Sequence, residues 1–350
     1  MNRPAAQRLK EWLVRSGLVL GSILLILVIL ELGLRATNGD WLWAWPNFVL
    51  GARTVHAERE ESRFVDDPQV GYAPRPGYSN GGVTFDAQGF RITGPALPGD
   101  PVVAVGDSYT YGDEVGDAET WPSHLQADLG RRVLNGGVSG YGFDQSILRA
   151  ESIAKAVHPS AVVVSFIADD IRRTEMKRMW GAEKPYFDLV DGKLVLRNVP
   201  VPPRPDPRTT LTFWQRTLGY SFLVDFVLRR LDLLYDWFGD HIRVHAAGAG
   251  EAISCALAER LAELQKTSGA KVLLLAEYDP VVWQDPKFEA EQRHMVKDLL
   301  ACAAKRGVAT LDSFDAMAAT GNPKGLYGLW HLNDKGNALI AGLVAKALHP

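Results

Sequence analysis

Short apolar runs alternate with helical stretches from about residue 99 onward in this 350-residue chain. The apolar runs predict buried strands, and they lie at residues 101–105, 132–134, 161–166, 271–276 and 307–311. Helices are predicted over residues 144–157, 288–305 and 333–348. Strands that alternate with helices form parallel sheets with helices on both faces. Residues 99–350 are therefore expected to form an α/β domain, a flavodoxin-like three-layer αβα fold around a parallel sheet.

Two segments fall outside this alternation. Residues 36–98 are rich in Gly, Pro and aromatic residues and predict a linker followed by a small β appendage. Residues 174–250 predict an insertion, with a Pro-rich centre at 199–207 and an aromatic, Leu-rich helix over 213–238. That helix is a lid over the active site, a membrane-contacting flap, or a structural helix that packs its aromatic side chains onto the core.

The amino-terminal segment has the pattern of a membrane anchor. Residues 17–34 are apolar apart from Ser22 and Glu31, and four basic residues precede them. This length predicts a transmembrane helix over residues 17–35. Because basic flanks stay in the cytoplasm, residues 1–16 are expected there and the rest of the chain on the extracytoplasmic side, the periplasm in a Gram-negative cell. A cleaved signal peptide is the alternative, but no small-x-small cleavage site follows cleanly.

Composition narrows the function classes. An apolar fraction of 47% and a charged fraction of 23% are typical of a globular protein. The net charge is −3, without long runs of like charge, so nothing indicates a nucleic-acid partner. Cys255 and Cys302 are too few for a disulfide scaffold; they are two buried small hydrophobic residues or, in an oxidising compartment, a single bridge.

Polar residues that carry chemistry follow several of the predicted strands. Gly106-Asp107-Ser108 ends the first strand, the turn from Asn135 to Gly140 ends the second, and Asp169-Asp170 follows the third. His331 lies in a loop before the last predicted helix. In an open α/β sheet, ligands bind beyond the carboxyl ends of the strands, so these residues are expected to converge there.

Together these blocks resemble the GDSL/SGNH hydrolase superfamily, which contains esterases, lipases, polysaccharide acetylesterases and some O-acyltransferases. The resemblance covers about residues 100–170 and 270–348. It implies a serine ester hydrolase in which Ser108 is the nucleophile and the backbone N–H of Gly140 helps to bind the oxyanion.

The chemistry also follows from the residue types. A serine hydroxyl becomes a good nucleophile when a neighbouring imidazole takes its proton, so His331 is the expected base for Ser108. Attack on an ester carbonyl forms an acyl-enzyme, which water then hydrolyses, and no cofactor is required. If a sugar hydroxyl replaces water, the same site is that of an O-acyltransferase.

Two positions depart from the family pattern. Asp169 stands where the family has an asparagine that donates to the oxyanion. Either burial beside Asp170 raises its pKa so that it donates as the acid, or the oxyanion site uses backbone donors, or activity is weak. Gly328 stands where the family has an aspartate three residues before the histidine. Asp312, Asp315 or a backbone carbonyl then has to orient His331, and the third member of the triad stays open.

The location of the domain suggests the substrate. An anchored domain facing outward is expected to act on O-acyl esters of cell-envelope or exported glycans or lipids. The alternative from a different class is a catalytically weakened envelope-binding protein. The departures from the family pattern at Asp169 and Gly328 suggest this alternative.

Overall fold

The computed structural model describes residues 5–37, 44–231, 233–239 and 241–349. The chain divides into two compact units, one of residues 1–58 with 205–239 and the other of residues 59–204 with 240–350.

The helices are α1 (Ala5–Thr37), α2 (Phe48–Arg63), α3 (Ser108–Tyr111), α4 (Trp121–Leu129), α5 (Phe143–Val157), α6 (Ala168–Arg173), α7 (Phe213–Leu218), α8 (Phe222–Arg230), α9 (Leu234–Phe238), α10 (Ala249–Ser268), α11 (Pro286–Ala304), α12 (Phe314–Ala318) and α13 (Asp334–Leu348). The strands are β1 (Phe64–Asp67), β2 (Gly71–Pro74), β3 (Ser79–Asn80), β4 (Val83–Thr84), β5 (Val102–Val105), β6 (Val133–Asn135), β7 (Ala161–Phe166), β8 (Met176–Met179), β9 (Ala182–Glu183), β10 (Tyr186–Val190), β11 (Lys193–Arg197), β12 (Ile242–Arg243), β13 (Lys271–Ala276) and β14 (Ala309–Asp312).

A five-stranded parallel sheet forms the centre of the larger unit. Its strand order is β6-β5-β7-β13-β14, which is the flavodoxin-like order that the sequence predicts. Alternate side chains of β5 enter different cores: Val103 and Val105 pack on the side of α5, α10 and α11, whereas Val102 and Ala104 pack on the side of α4 and α13. The sheet is therefore buried on both faces, as the continuous apolar runs indicate.

A disulfide bond joins two helices on one face of this sheet. Cys255 of α10 and Cys302 of α11 are bridged, with their Cα atoms 5.4 Å apart and a sequence separation of 47. Of the two interpretations of the cysteines, the structure therefore selects the bridge. Closing a loop of this size stabilises the fold by about 2–4 kcal/mol.

Small β hairpins precede the central sheet. β1 pairs with β2 and β3 with β4, both antiparallel, where the sequence predicts a small β appendage. Phe64, Tyr72 and Phe85 from this region pack with Tyr111 and Tyr141, next to the predicted active-site turns. The helix α2 lies within the segment that the sequence analysis assigns to a linker.

The smaller unit contains the apolar helix α1. Within the described ranges, Leu9–Thr37 is the single helix long and apolar enough to cross a membrane, and it extends further toward the amino terminus than the predicted 17–35. Residues 213–238 do not form the single helix predicted from their composition. They form α7, α8 and α9. The hydroxyl of Ser221 caps α8 by accepting from Val224 N, and Glu31 accepts hydrogen bonds from Ser221 Oγ and from the backbone N–H groups of Phe222 and Leu223.

Candidate active site

Ser108 lies where strand β5 turns into helix α3. It is the first residue of that helix, and the side chain of Asp107 caps the helix by accepting a hydrogen bond from Tyr109 N at 2.9 Å. This strand-to-helix turn sets Ser108 at the carboxyl edge of the sheet, as its place after the apolar run predicts.

His331 lies in the loop before α13. The side chain of Asn333 caps α13 by accepting from Gly336 N at 3.1 Å, and it also donates to the carbonyl of Tyr327 at 3.1 Å, which ties the loop together. The ring atom Nε2 of His331 is 3.0 Å from Ser108 Oγ. At this distance a neutral imidazole can accept a proton from the serine hydroxyl.

The other ring nitrogen of His331 faces a residue that the sequence analysis missed. Its Nδ1 lies 3.2 Å from Oε1 of Glu114, which follows α3. Leu329 N donates to Glu114 Oε2 at 2.7 Å and Trp330 N donates to Oε1 at 3.0 Å. The only signal of this in the sequence is an acidic residue six positions after the nucleophile.

These contacts set the charge of Glu114. Burial alone raises the pKa of its carboxyl, but the hydrogen bonds from His331, Trp330 and Leu329 outweigh burial and hold the pKa below its ordinary value of 4.5. The carboxylate is therefore ionised at neutral pH, and its charge lies beside Nδ1 of His331.

The two aspartates that the sequence analysis considers as partners of His331 contact other residues instead. Asp312 accepts hydrogen bonds from Tyr278 Oη at 2.9 Å and from Phe314 N at 3.0 Å. Asp315 is 95% exposed and lies 3.8 Å from Arg293. In the part of the chain that is described, neither aspartate contacts His331.

Two backbone N–H groups are available for an oxyanion. Within the described residues, no protein acceptor takes a hydrogen bond from the N–H of Ser108 or of Gly140. Gly140 has a φ of +81°, and a Cβ there would lie 2.8 Å from the ring of Trp180 and 2.9 Å from Tyr72 Oη. Only glycine fits this turn, because both the backbone conformation and the space exclude a side chain.

Asp169 does not have the environment that the sequence analysis considered. Its side chain is 46% exposed, and it forms an ion pair with Arg173 Nη2 at 2.9 Å. Burial beside Asp170 is therefore wrong for this residue: Arg173 pairs with both carboxyls, but that of Asp169 is half exposed whereas that of Asp170 is buried. Of the two, Asp170 is the buried one, and burial together with the charge of Asp107 holds its pKa well above 3.8.

Acidic groups are also buried beneath the nucleophile. Asp107 is fully buried with Arg173 Nη1 3.4 Å away, and burial raises its pKa even though Arg173 opposes the shift. Glu277 follows β13, and burial next to Asp107 raises its pKa to about 8. The floor of the site thus holds more carboxyl groups than its one buried guanidinium can neutralise.

Glu277 should make the stability of the protein depend on pH. Its carboxyl keeps a proton up to about pH 8 in the folded state but loses it near 4.5 when unfolded, so stability falls as the pH rises between these values. We expect Glu277→Gln, which stays neutral, to gain stability relative to the native protein from pH 5 to pH 8.5, as measured by urea unfolding at each pH. Glu259→Gln on the exposed side of α10 is the control and should show no such gain. A difference between Glu277→Gln and the native protein that does not change with pH would contradict the assignment.

One protein-family model and several solved structures are similar to this chain. The GDSL-like lipase/acylhydrolase family matches residues 104–339. Solved structures with similarity include a lipase/acylhydrolase from Enterococcus faecalis, which is 16% identical over 71% of this chain and 95% of that chain, with a TM-score of 0.40. Others are a member of the lipolytic G-D-S-L family from Veillonella parvula (14% identity, 71% and 97% covered, TM-score 0.41) and a catalytic mutant of an acetylxylan esterase from Geobacillus stearothermophilus (14%, 72% and 95%, 0.42). No match was found among curated protein sequences.

These findings identify an ester-hydrolysing enzyme. The chain belongs to the GDSL-like lipase/acylhydrolase family, because the match to that family extends over more than half of its residues.

Proposed function

We propose that this enzyme is a serine esterase in which Ser108 is the nucleophile and His331 the general base. The observation that carries the proposal is the 3.0 Å distance between His331 Nε2 and Ser108 Oγ. This contact joins residues 223 positions apart in the chain, and it has the geometry of direct proton transfer.

The reaction follows from these positions. His331 takes the proton of Ser108 as Oγ attacks the ester carbonyl, and the N–H groups of Ser108 and Gly140 stabilise the oxyanion. His331 then gives the proton to the departing alcohol, which leaves an acyl-enzyme. Water attacks this ester with His331 again as base, releasing the carboxylic acid and restoring the serine. Asp169 takes no part in the oxyanion site in this mechanism, because it is paired with Arg173.

The proposed substrate is an O-acyl ester of a cell-envelope or exported glycan or lipid. In this proposal, α1 is an uncleaved single-pass anchor and the larger unit is extracytoplasmic, which is periplasmic in a Gram-negative cell. The basic residues before the apolar run favour this orientation. The disulfide bond between Cys255 and Cys302 favours it independently, because such bonds persist in oxidising compartments. With a sugar hydroxyl in place of water, the site would transfer the acyl group instead.

Covalent labelling of the full-length protein with a fluorophosphonate probe tests the mechanism. We expect one adduct, located on Ser108 by peptide mass spectrometry, and no adduct in Ser108→Ala or after heat denaturation. Ser139→Ala is the matched control, because Ser139 lies in the neighbouring turn and donates to Asp113 rather than to His331. A folded native protein that does not react would overturn the esterase proposal and favour the envelope-binding alternative.

A further inference from the structure

The loop that carries His331 wraps around a carboxylate from another part of the chain. A Cβ built on Gly328 would lie 2.6 Å from Glu114 Oε2. The carboxylate of Glu114 therefore fills the space in which a side chain at position 328 would begin. Gly328 N donates to the carbonyl of His331 at 2.8 Å, so the loop closes on itself around this carboxylate.

Glu114 is held in a backbone conformation that disfavours its residue type. Its φ is +72°, the left-handed region that glycine adopts readily and a glutamate rarely does. Such a conformation costs on the order of 1 kcal/mol and persists where other contacts impose it. The hydrogen bonds from Leu329, Trp330 and His331 are those contacts.

We propose that Glu114 is the positioning residue of the triad, and that the acid has moved from the histidine loop to the loop after α3. This inference rests on the proposed esterase mechanism. The Nδ1–H of His331 donates to Glu114 Oε1, which leaves Nε2 as the acceptor facing Ser108 and stabilises the imidazolium after proton transfer. An acid at position 328 and the carboxylate of Glu114 are alternatives, because a side chain at 328 would begin in the space that this carboxylate occupies.

A cycle of substitutions tests this exchange. Glu114→Gly removes the carboxylate and suits the positive φ, and Gly328→Asp supplies a carboxylate from the other loop. We expect Glu114→Gly to lower kcat by about 10²–10⁴-fold with little change in KM. Gly328→Asp alone should also lose activity, because it brings a second carboxylate against Glu114. The double variant should recover most of the kcat lost in Glu114→Gly.

The pH profile separates orientation of His331 from a purely structural role. Glu114→Gln keeps the shape of the side chain but removes its charge, so the ascending limb of kcat/KM against pH should move to lower pH. An unchanged limb together with an unchanged kcat, or a double variant no better than Glu114→Gly, would overturn the proposal. If the native protein reacts with the fluorophosphonate probe at Ser108 but the variants give either of these results, the assignment of Glu114 fails and the esterase proposal stands. If the native protein does not react with the probe, the esterase proposal itself fails.

A separate observation concerns the surface of the smaller unit. Phe213 is 69% exposed, Trp214 62% and Leu231 60%, so the aromatic side chains of α7 are not packed onto a core. Soluble proteins seldom expose several large apolar side chains close together unless a partner covers them. Exposed arginines, Arg216 and Arg230, accompany them.

The attachment of α8 to α1 indicates what covers this surface. Glu31 binds the first turn of α8, and Arg35 donates to the carbonyls of Tyr220 and Ala44 at 2.5 and 3.0 Å. α7 and α8 are therefore held at the carboxyl-terminal end of the apolar helix, which is where a spanning helix leaves the bilayer. Exposed aromatic and arginine side chains at that level suit the headgroup region, because the rings enter the acyl boundary and the guanidinium groups bind phosphates.

We infer that the surface of α7, α8 and Leu231 binds the phospholipid interface around the anchor. The test uses the full-length protein in nanodiscs of phosphatidylcholine and phosphatidylglycerol, and compares native and Trp214→Phe fluorescence. The emission lost in the variant should be quenched by lipids brominated on the acyl chain and protected from acrylamide in water. Trp121→Phe, at a fully buried position, should remove emission that neither agent quenches.

Either of two other results would overturn the inference. Quenching of the Trp214 emission by acrylamide alone would show that the surface faces water. Protection from both agents would show that protein covers it, as in contact with a second copy of the chain.

Discussion

Replacing His331 with alanine should lower kcat for ester hydrolysis by about 10⁴–10⁶-fold while the protein stays folded. The imidazole is 3.0 Å from Ser108 Oγ, and without it the hydroxyl keeps its proton during attack on the ester. The measurement is steady-state hydrolysis of 4-nitrophenyl acetate by the full-length enzyme, with thermal unfolding as the check on folding.

A second histidine provides the control for this experiment. His124 Nε2 lies 2.8 Å from Asp334 Oδ1, so it is also paired with a carboxylate, but its pair does not include Ser108. His124→Ala should therefore keep kcat within a few fold of the native value. Comparable losses in both variants would indicate a general disturbance of the fold rather than removal of a base.

The largest expected effect on stability belongs to a buried ion pair. Lys184 Nζ lies 2.6 Å from Asp144 Oδ2, both side chains are excluded from solvent, and Lys184 also donates to the carbonyl of Met176 at 3.1 Å. Burial lowers the pKa of Lys184 and raises the pKa of Asp144. The charge of the partner opposes the shift in each case. Lys184→Met leaves the Asp144 carboxyl buried without its cation, and should lower the free energy of unfolding by about 3–5 kcal/mol.

A partly exposed pair gives the comparison for Lys184. Arg197 Nε lies 2.7 Å from Asp188 Oδ2, with 46% and 31% of the two side chains exposed. Because solvent screens this pair, Arg197→Met should cost less than about 1 kcal/mol in the same urea unfolding experiment. Equal costs for the two substitutions would mean that the buried pair is not the cause of the larger loss.

The three inner strands of the central sheet, β5, β7 and β13, were predictable because they are largely apolar on both faces. The predicted runs at 161–166 and 271–276 coincide with β7 and β13, and their order in the sheet follows from the rule for parallel α/β folds. The segment 213–238 was predicted as one helix because its composition is uniformly aromatic and Leu-rich. At the start of α8 the chain contacts Glu31, which lies 190 positions before Ser221, and composition cannot reveal such a contact.

The sequence by itself determined the fold class, the family and the residues that end the strands. Ser108 could be named because it directly follows a buried strand, and His331 because it lies in a loop before the last helix, in one of the blocks that resemble the family. What only the tertiary structure decided is which carboxylate faces Nδ1 of His331. Glu114 and His331 are 217 positions apart, and they meet where Glu114 has a left-handed backbone and Gly328 has no side chain to occupy the place of the carboxylate. The environment of Asp169 was likewise decided by Arg173, because the exposure and pairing of a carboxylate depend on which side chains the folded chain brings near it.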